Sequence, residues 1–188
     1  MATPYEYQQR IRACDWEELR KLWRQIQSRD TPDWELGKAF EYLIIRMFKL
    51  DGATVKYPYT VTQRTAEGGQ QLMEQIDGVV YVESLSCIIE SKDYQDNDKT
   101  NIEPIYKLRN QLLRRPAGVI GSVFSRTGFT DAAITLASFM MPQAILLWEG
   151  DEIETILEEE RICSFLVSKL RRCIETGSPN YNITTDTL

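Results

Sequence analysis

Residues 76–94 read Ile76-Asp-Gly-Val-Val-Tyr-Val-Glu-Ser-Leu-Ser-Cys-Ile-Ile-Glu-Ser-Lys-Asp-Tyr94, and the reading of this stretch decides the fold. Residues 75–82 and 85–90 are rich in β-branched and aromatic side chains, the composition of two strands joined by a turn. Asp77, Glu90 and Lys92 interrupt an otherwise apolar hairpin. Glu90 and Lys92 are two residues apart, so on a strand they project from one face. Asp77 lies early on the preceding strand, where a hairpin brings it alongside Glu90. Two such carboxylates repel each other unless a cation or proton lies between them. With backbone carbonyls they form a hard oxygen site of the kind Mg²⁺ takes, completed by water and substrate phosphate. Lys92 beside that site is placed to orient or deprotonate an attacking water.

On spacing alone, the same three residues equally describe a solvated hairpin face with a cross-strand ion pair. Their setting separates the two readings. Cys87, Ile88 and Ile89 run directly into Glu90, and Asp77 stands between Ile76 and Gly78-Val79-Val80. Both acids therefore interrupt apolar strands.

Composition narrows the chemistry. The chain has 188 residues, 43% of them hydrophobic, enough for one domain with a real core. No apolar run approaches the roughly 20 residues of a membrane span. The first residues, MATPYEYQQRIR, lack the apolar segment of a secretory signal, so a cytoplasmic protein is expected. Cys14, Cys87, Cys163 and Cys173 have no metal-binding spacing and read as free thiols. The absence of histidine excludes His-based triads, His-metal nucleases and His general bases. The net charge of −6 argues against a simple basic DNA-binding module. Residues 149–188 carry 9 acidic and 4 basic side chains, so most of the acidity is C-terminal and a basic groove elsewhere stays open.

Outward from the hairpin, residues 5–29 read as helix, with Asp15 and Glu18 spaced as a capping box where it breaks and restarts. Leu19, Leu22, Trp23 and Ile26 form an apolar stripe. A second helix is expected from Asp33, as N-cap, to Leu50, with Leu36, Phe40, Leu43, Ile44 and Met47 on its apolar face and Gly52 after its end. Glu41 sits at the edge of that face, where a solvated carboxylate is the ordinary reading. Residues 53–62 read as a strand with Pro58 at an edge or bulge, and 65–71 as a loop. Thr100 and Glu103 predict a capped helix to Arg115. Its polar and basic tips, Lys107, Arg109, Asn110, Gln111, Arg114 and Arg115, fit solubility or phosphate contact. Residues 117–124 read as a strand buried on both faces. Thr130 caps a helix over 131–140, 143–148 is another buried strand, and helices follow over 152–157 and 158–176. The polar end, 177–188, is expected to fray. The resulting order, α, α, β, β, β, α, β, α, β, α, α, gives a mixed sheet flanked by helices.

That order, with a carboxylate helix ahead of D…E-x-K on successive strands, resembles the PD-(D/E)XK nuclease superfamily, closest to its Mrr-like restriction endonuclease branch. The resemblance spans about Asp33 to Leu157. It rests on G-K-A-F-E at 37–41, I-D-G at 76–78, I-E-S-K at 89–92, V-F-S-R-T-G-F-T-D-A-A at 123–133, and A-I-L-L-W-E-G-D-E-I at 144–153. It implies an α/β restriction-endonuclease-like sheet flanked by helices, with extra N- and C-terminal helices. The expected division is an N-terminal helical extension (1–31), a nuclease-like core (32–158) and a C-terminal helix and tail (159–188). Asp77 and Glu90 would ligate Mg²⁺, with Mn²⁺ as a substitute, and the Ile89 or Ser91 carbonyl could join them. Lys92 would position the attacking water, and Glu41 would match the family's helix carboxylate. Gln111 would be a polar helix residue near the site; Arg109, Arg114 and Arg126 would be further contacts to nucleic acid.

The implied activity is metal-dependent hydrolysis of DNA phosphodiesters, of restriction or defence type. One departure stands out: Asp93, Asp96 and Asp98 follow the E-x-K motif where relatives commonly carry basic residues. Acids on the DNA path would repel phosphate. Two alternatives therefore remain: a non-catalytic nucleic-acid-binding or interaction module of the same fold, and a structure-specific repair nuclease. Duplex cleavage needs two sites, so a homodimer is an attractive arrangement, with the Leu19/Leu22/Trp23/Ile26 stripe and the C-terminal helix as its surfaces. A separate specificity or effector protein would supply any target reading the chain lacks.

Overall fold

The structure is a computed structural model that describes residues 3–35, 37–57, 59–64 and 68–185. Its centre is a five-stranded mixed sheet in the order β1-β4-β5-β6-β7, formed by β1 (Thr54–Lys56), β4 (Gly78–Val82), β5 (Leu85–Lys92), β6 (Val119–Ser125) and β7 (Ile145–Trp148). β1, β4 and β5 run antiparallel, whereas β5, β6 and β7 are parallel. The parallel strands are joined over one face by α4 (Glu103–Leu112) and α5 (Asp131–Ser138). The other face carries α1 (Pro4–Ala13), α2 (Trp16–Gln27), α3 (Lys38–Leu50), α6 (Gly150–Glu159) and α7 (Ile162–Thr176). This is the expected α/β architecture.

Strand alternation supplies both cores. On β5, Cys87 and Ile89 enter the cluster under α3, while Ile88 packs under α4 with Val79, Val123, Ile105 and Leu108. Glu90 and Lys92 continue the Ile88 side of the strand, at its C-terminal end.

The N-terminal helices share the main core. The predicted capping box closes α2: Glu18 N–H donates to Asp15 Oδ1, and Asp15 N–H to Glu18 Oε2, each at 2.9 Å. Leu19, Leu22, Trp23 and Ile26 are all buried in one cluster with Phe40, Leu43 and Ile153. Each such side chain contributes roughly 1.5–3 kcal/mol on burial. The stripe expected to serve a homodimer is therefore covered by the chain's own helices.

Several local expectations shift. α3 begins at Lys38 behind Gly37, which holds the left-handed φ of +80°, rather than at Asp33. The residues before it fold onto α1, where Trp34 stacks on Tyr7 with ring centroids 5.1 Å apart. Leu36, Pro58 and 65–67 of the expected loop lie outside the described residues, as do 186–188. The strand expected over 53–62 is two strands, β1 and β2 (Tyr59–Arg64). The strand expected from Gln75 is likewise divided at Asp77. β3 (Gln70–Ile76) leaves the main sheet and pairs with β2 in a separate antiparallel ribbon, with a register irregularity at Val61/Thr62. Thr100 does not cap α4. It is buried, shares a 2.7 Å hydrogen bond with Ser125, and its N–H donates to the Gly128 carbonyl. Residues after α7 pack back: Leu147 N–H donates to the Pro179 carbonyl, and Ile183 is buried above α6.

Candidate active site

The site forms where four elements converge at one end of the sheet. A cleft of about 680 Å³ is lined by Gly37, Lys38 and Glu41 of the α3 start, Met73 to Gln75 of β3, Asp77, Ser91 and Lys92, Lys107, Asn110 and Gln111 of α4, and Arg114 in the turn after it. Lys107, Asn110 and Gln111 are spaced 3 and 1, so one face of α4 looks into the cleft. Arg109 stands off that face, and its Nε is buried without a partner.

Asp77 occupies the single residue between β3 and β4, immediately beyond the Gly78–Ile89 pair. Its Oδ2 accepts a 2.9 Å hydrogen bond from Ser91 N–H, which fixes the carboxylate against the end of β5. Glu90 is 1% exposed. Its Oε1 lies 2.8 Å from Lys92 Nζ, and Lys107 Nζ donates to Oε1 at 2.9 Å and to Oε2 at 2.7 Å. Glu41 is buried at the α3 start and paired with Lys38. The structure thus gathers Asp77, Glu90, Lys92 and Glu41 in one place, although Glu41 comes from a helix 36 positions ahead of Asp77.

These acids act on one another. Burial, followed by repulsion from Glu90 and Glu41, pushes the Asp77 carboxyl up to about 7. Burial also raises Glu41, against the pull of Lys38. Lys92 is drawn down by burial, but the Glu90 carboxylate outweighs this and holds the ammonium above its ordinary value. Lys92 therefore serves the site as a cation.

No group of three or more His, Cys, Asp or Glu among the described residues is arranged to hold a metal ion in this conformation. The donor set nevertheless suits one. Asp77, on the cleft wall, and the buried Glu90, near enough to repel it, are both hard oxygen donors. Here the ammonium groups of Lys92 and Lys107 pair with Glu90.

The remaining predicted contacts divide. Gln111 is buried at the cleft wall, donating from Nε2 to the Gln75 carbonyl at 3.2 Å, while its Oε1 has no partner. Arg114 lines the cleft but also binds Glu74 of β3, as does Arg115. Arg126 is 8% exposed and turned into the fold, bound to Asp93 at 2.6 Å and Asp96 at 2.7 Å. Arg29 reaches the same Asp93 oxygen at 2.6 Å. Asp93 is thus 7% exposed and paired with two arginines, whereas Asp96 is 66% exposed. Lys38 and Glu74 were not singled out from sequence. The i,i+3 spacing of Lys38 to Glu41 was the available signal for the first; nothing local marked the second.

Mixed sheet, helix carboxylate and D…E-x-K constellation together define a nuclease-type fold of the PD-(D/E)XK superfamily, Mrr-like branch. The chain belongs to the restriction endonuclease family Mrr_cat, whose model matches residues 34–157. No curated protein matches it. Among solved structures it is similar to "Protein of Unknown Function AF1548", at 18% identity and a TM-score of 0.49, covering 73% of this chain and 76% of that one. It is also similar to the MspJI restriction endonuclease solved with a 27-mer oligonucleotide, at 20% identity and a TM-score of 0.39. That match covers 72% of this chain and 29% of MspJI. No helix among the described residues is long and apolar enough to cross a membrane.

Proposed function

We propose that the chain is a Mg²⁺-dependent DNA endonuclease of restriction or defence type. The observation that carries this reading is the meeting of Asp77, Lys92 and Glu41 on one cleft lined also by Lys38, Lys107 and Arg114, with the buried Glu90 carboxylate paired to Lys92 and Lys107. Asp77 and Glu90 would hold the ion, Mg²⁺ or Mn²⁺, which supplies Lewis-acid neutralisation of charge on the scissile phosphate. Ser91 N–H holds the Asp77 carboxylate against the end of β5. Lys92, fixed by its neighbour two residues earlier, orients the attacking water and offsets charge as the P–O bond breaks. Glu41 carries a raised carboxyl beside the same cleft and is placed to accept a proton from that water. The basic side chains of α4 receive the flanking phosphates.

The test is cleavage of supercoiled and linear plasmid with Mg²⁺, Mn²⁺ or EDTA, alongside Asp77→Ala and Lys92→Ala. Metal-dependent cutting lost in both variants supports the reading; wild-type cutting by both variants removes it. A second reading, a non-catalytic nucleic-acid-binding module, draws on Glu90 being already engaged by two lysines. DNA binding by a folded protein that cuts under none of these conditions would favour it. Whether the enzyme works as a homodimer or with a specificity partner is part of the same proposal, and light scattering with and without DNA addresses the first.

A further inference from the structure

We infer that Lys107 is an exchangeable counter-ion: it takes the cation position at Glu90 in the resting site and moves to a substrate phosphate when a divalent ion takes Glu90. The inference rests on the nuclease reading above.

Glu90 has almost no contact with solvent, so its charge needs partners within the protein. Lys92 Nζ lies 2.8 Å from Oε1, and Lys107 donates to both carboxylate oxygens, at 2.9 and 2.7 Å. Those are the oxygens a divalent ion would require. The two lysines differ in freedom. Lys92 stands on the same strand as Glu90, two residues on, where backbone register fixes the pair. Lys107 arrives from α4 on a flexible stem, and its side chain is 43% exposed. It lines the main cleft and also a smaller one with Lys92, Tyr94, Glu103 and Pro104, so it has space to turn into.

Charge balance gives the direction of the exchange. In the resting site Glu41 and Glu90 are already paired by three ammonium groups, Lys38, Lys92 and Lys107. A divalent ion added to that set leaves an excess of positive charge and competes with Lys107 for the same oxygens. A phosphodiester entering along the α4 face, past Asn110 and Arg114, supplies the negative charge that the displaced ammonium then meets. Metal and DNA should consequently bind better together than separately.

The experiment compares wild type with Lys107→Met and Lys107→Arg, using Mn²⁺ titration calorimetry without DNA and duplex binding by fluorescence anisotropy in Ca²⁺ across a salt series. Lys107→Met should bind Mn²⁺ roughly fivefold or more tightly, since a competing cation is gone. Its plot of log affinity against log salt should be shallower by about 0.9, the loss of one phosphate contact. Lys107→Arg should keep the wild-type salt slope. A lysine that only shapes Glu90 would give unchanged or weaker Mn²⁺ binding in Lys107→Met, and that result overturns the inference, as does an unchanged salt slope. Thermal melts check that the variants fold, and Lys107→Gln replaces the Met variant if it does not. Wild type and variants that all bind no Mn²⁺ would overturn the nuclease reading together with the inference. Equal Mn²⁺ binding by wild type and Lys107→Met would overturn the inference alone.

Discussion

Lys169 and Glu152 lie against each other inside the protein, the lysine side chain 0% and the glutamate side chain 1% exposed. Lys169 Nζ also stands 4.5 Å from the centre of the Trp148 ring, and Glu152 accepts from Ile183 N–H at 3.0 Å and Glu149 N–H at 2.9 Å. Burial drives the two groups in opposite directions, raising Glu152 and lowering Lys169, and each is the other's principal compensation. Lys169→Met strands a buried carboxylate and should cost about 3–5 kcal/mol in urea unfolding. Adding Glu152→Gln should recover most of that loss. If the single variant unfolds at the wild-type midpoint, the pair contributes nothing.

Asp77→Asn should raise the melting temperature of the metal-free protein while abolishing cleavage. The substitution removes one of three mutually repelling acids and keeps an oxygen for the Ser91 N–H. A catalytic group held against its own electrostatics shows this opposition of sign. A lower melting temperature would mean that the charge of Asp77 stabilises the fold.

Lys92→Ala should lower the cleavage rate by about 10²–10⁴. Mn²⁺ affinity should persist, because the Glu90 carboxylate stays held through both oxygens by Lys107. Calorimetry beside plasmid cleavage separates the two effects. Loss of metal binding in this variant would assign Lys92 to the support of Glu90 instead of the attacking water.

Arg126→Ala should act on stability and leave DNA binding alone. Its guanidinium holds Asp93 and Asp96 and donates to the Tyr94 carbonyl, which orders the turn after β5. Removing it leaves Asp93, 7% exposed, with Arg29 and should cost about 1–3 kcal/mol. The salt dependence of DNA affinity should match wild type. A shallower slope would make Arg126 a phosphate contact.

Acid should loosen the β2–β3 ribbon through Glu74. Burial alone would raise this carboxyl, but hydrogen bonds from Arg115 and Arg114 outweigh it and hold it below its ordinary 4.5. A carboxylate depressed in the fold contributes stability above its unfolded pKa and loses it as pH falls through the folded one. Hydrogen exchange of ribbon amides should therefore accelerate below about pH 4.5 in wild type. In Glu74→Gln it should be fast already at neutral pH, and equal exchange in the two proteins would remove Glu74 as the anchor.

What could be read from sequence follows what local rules govern. Glu90 and Lys92 share a face because strand side chains alternate, and no tertiary information is needed to see it. The division of the chain at Asp77 was invisible because Ile76 and Val79 are both apolar and the strand pattern runs through them. In its separate ribbon β3 pairs with β2, and its Glu74 binds two arginines 40 and 41 residues later. Thr100 and Glu103 have the spacing of a cap, yet Ser125 and the Gly128 carbonyl compete for Thr100, and Asn101 binds the Glu103 N–H instead. Lys169 left a trace that helical spacing could have found. It falls on the 162–166–169–173 stripe, whose other members are apolar and buried.

The single residue between ribbon and sheet separates two tasks that one long strand would have joined. Asp77 is tied to β5 through Ser91, whereas β3 is tied through Glu74 to Arg114 and Arg115 in the turn after α4. The distal ribbon can therefore be lengthened, shortened or replaced in paired steps without shifting the carboxylate. Anyone wishing to graft a new reading element onto this scaffold has a natural splice point outward of Glu74, with the chemistry bolted down behind it.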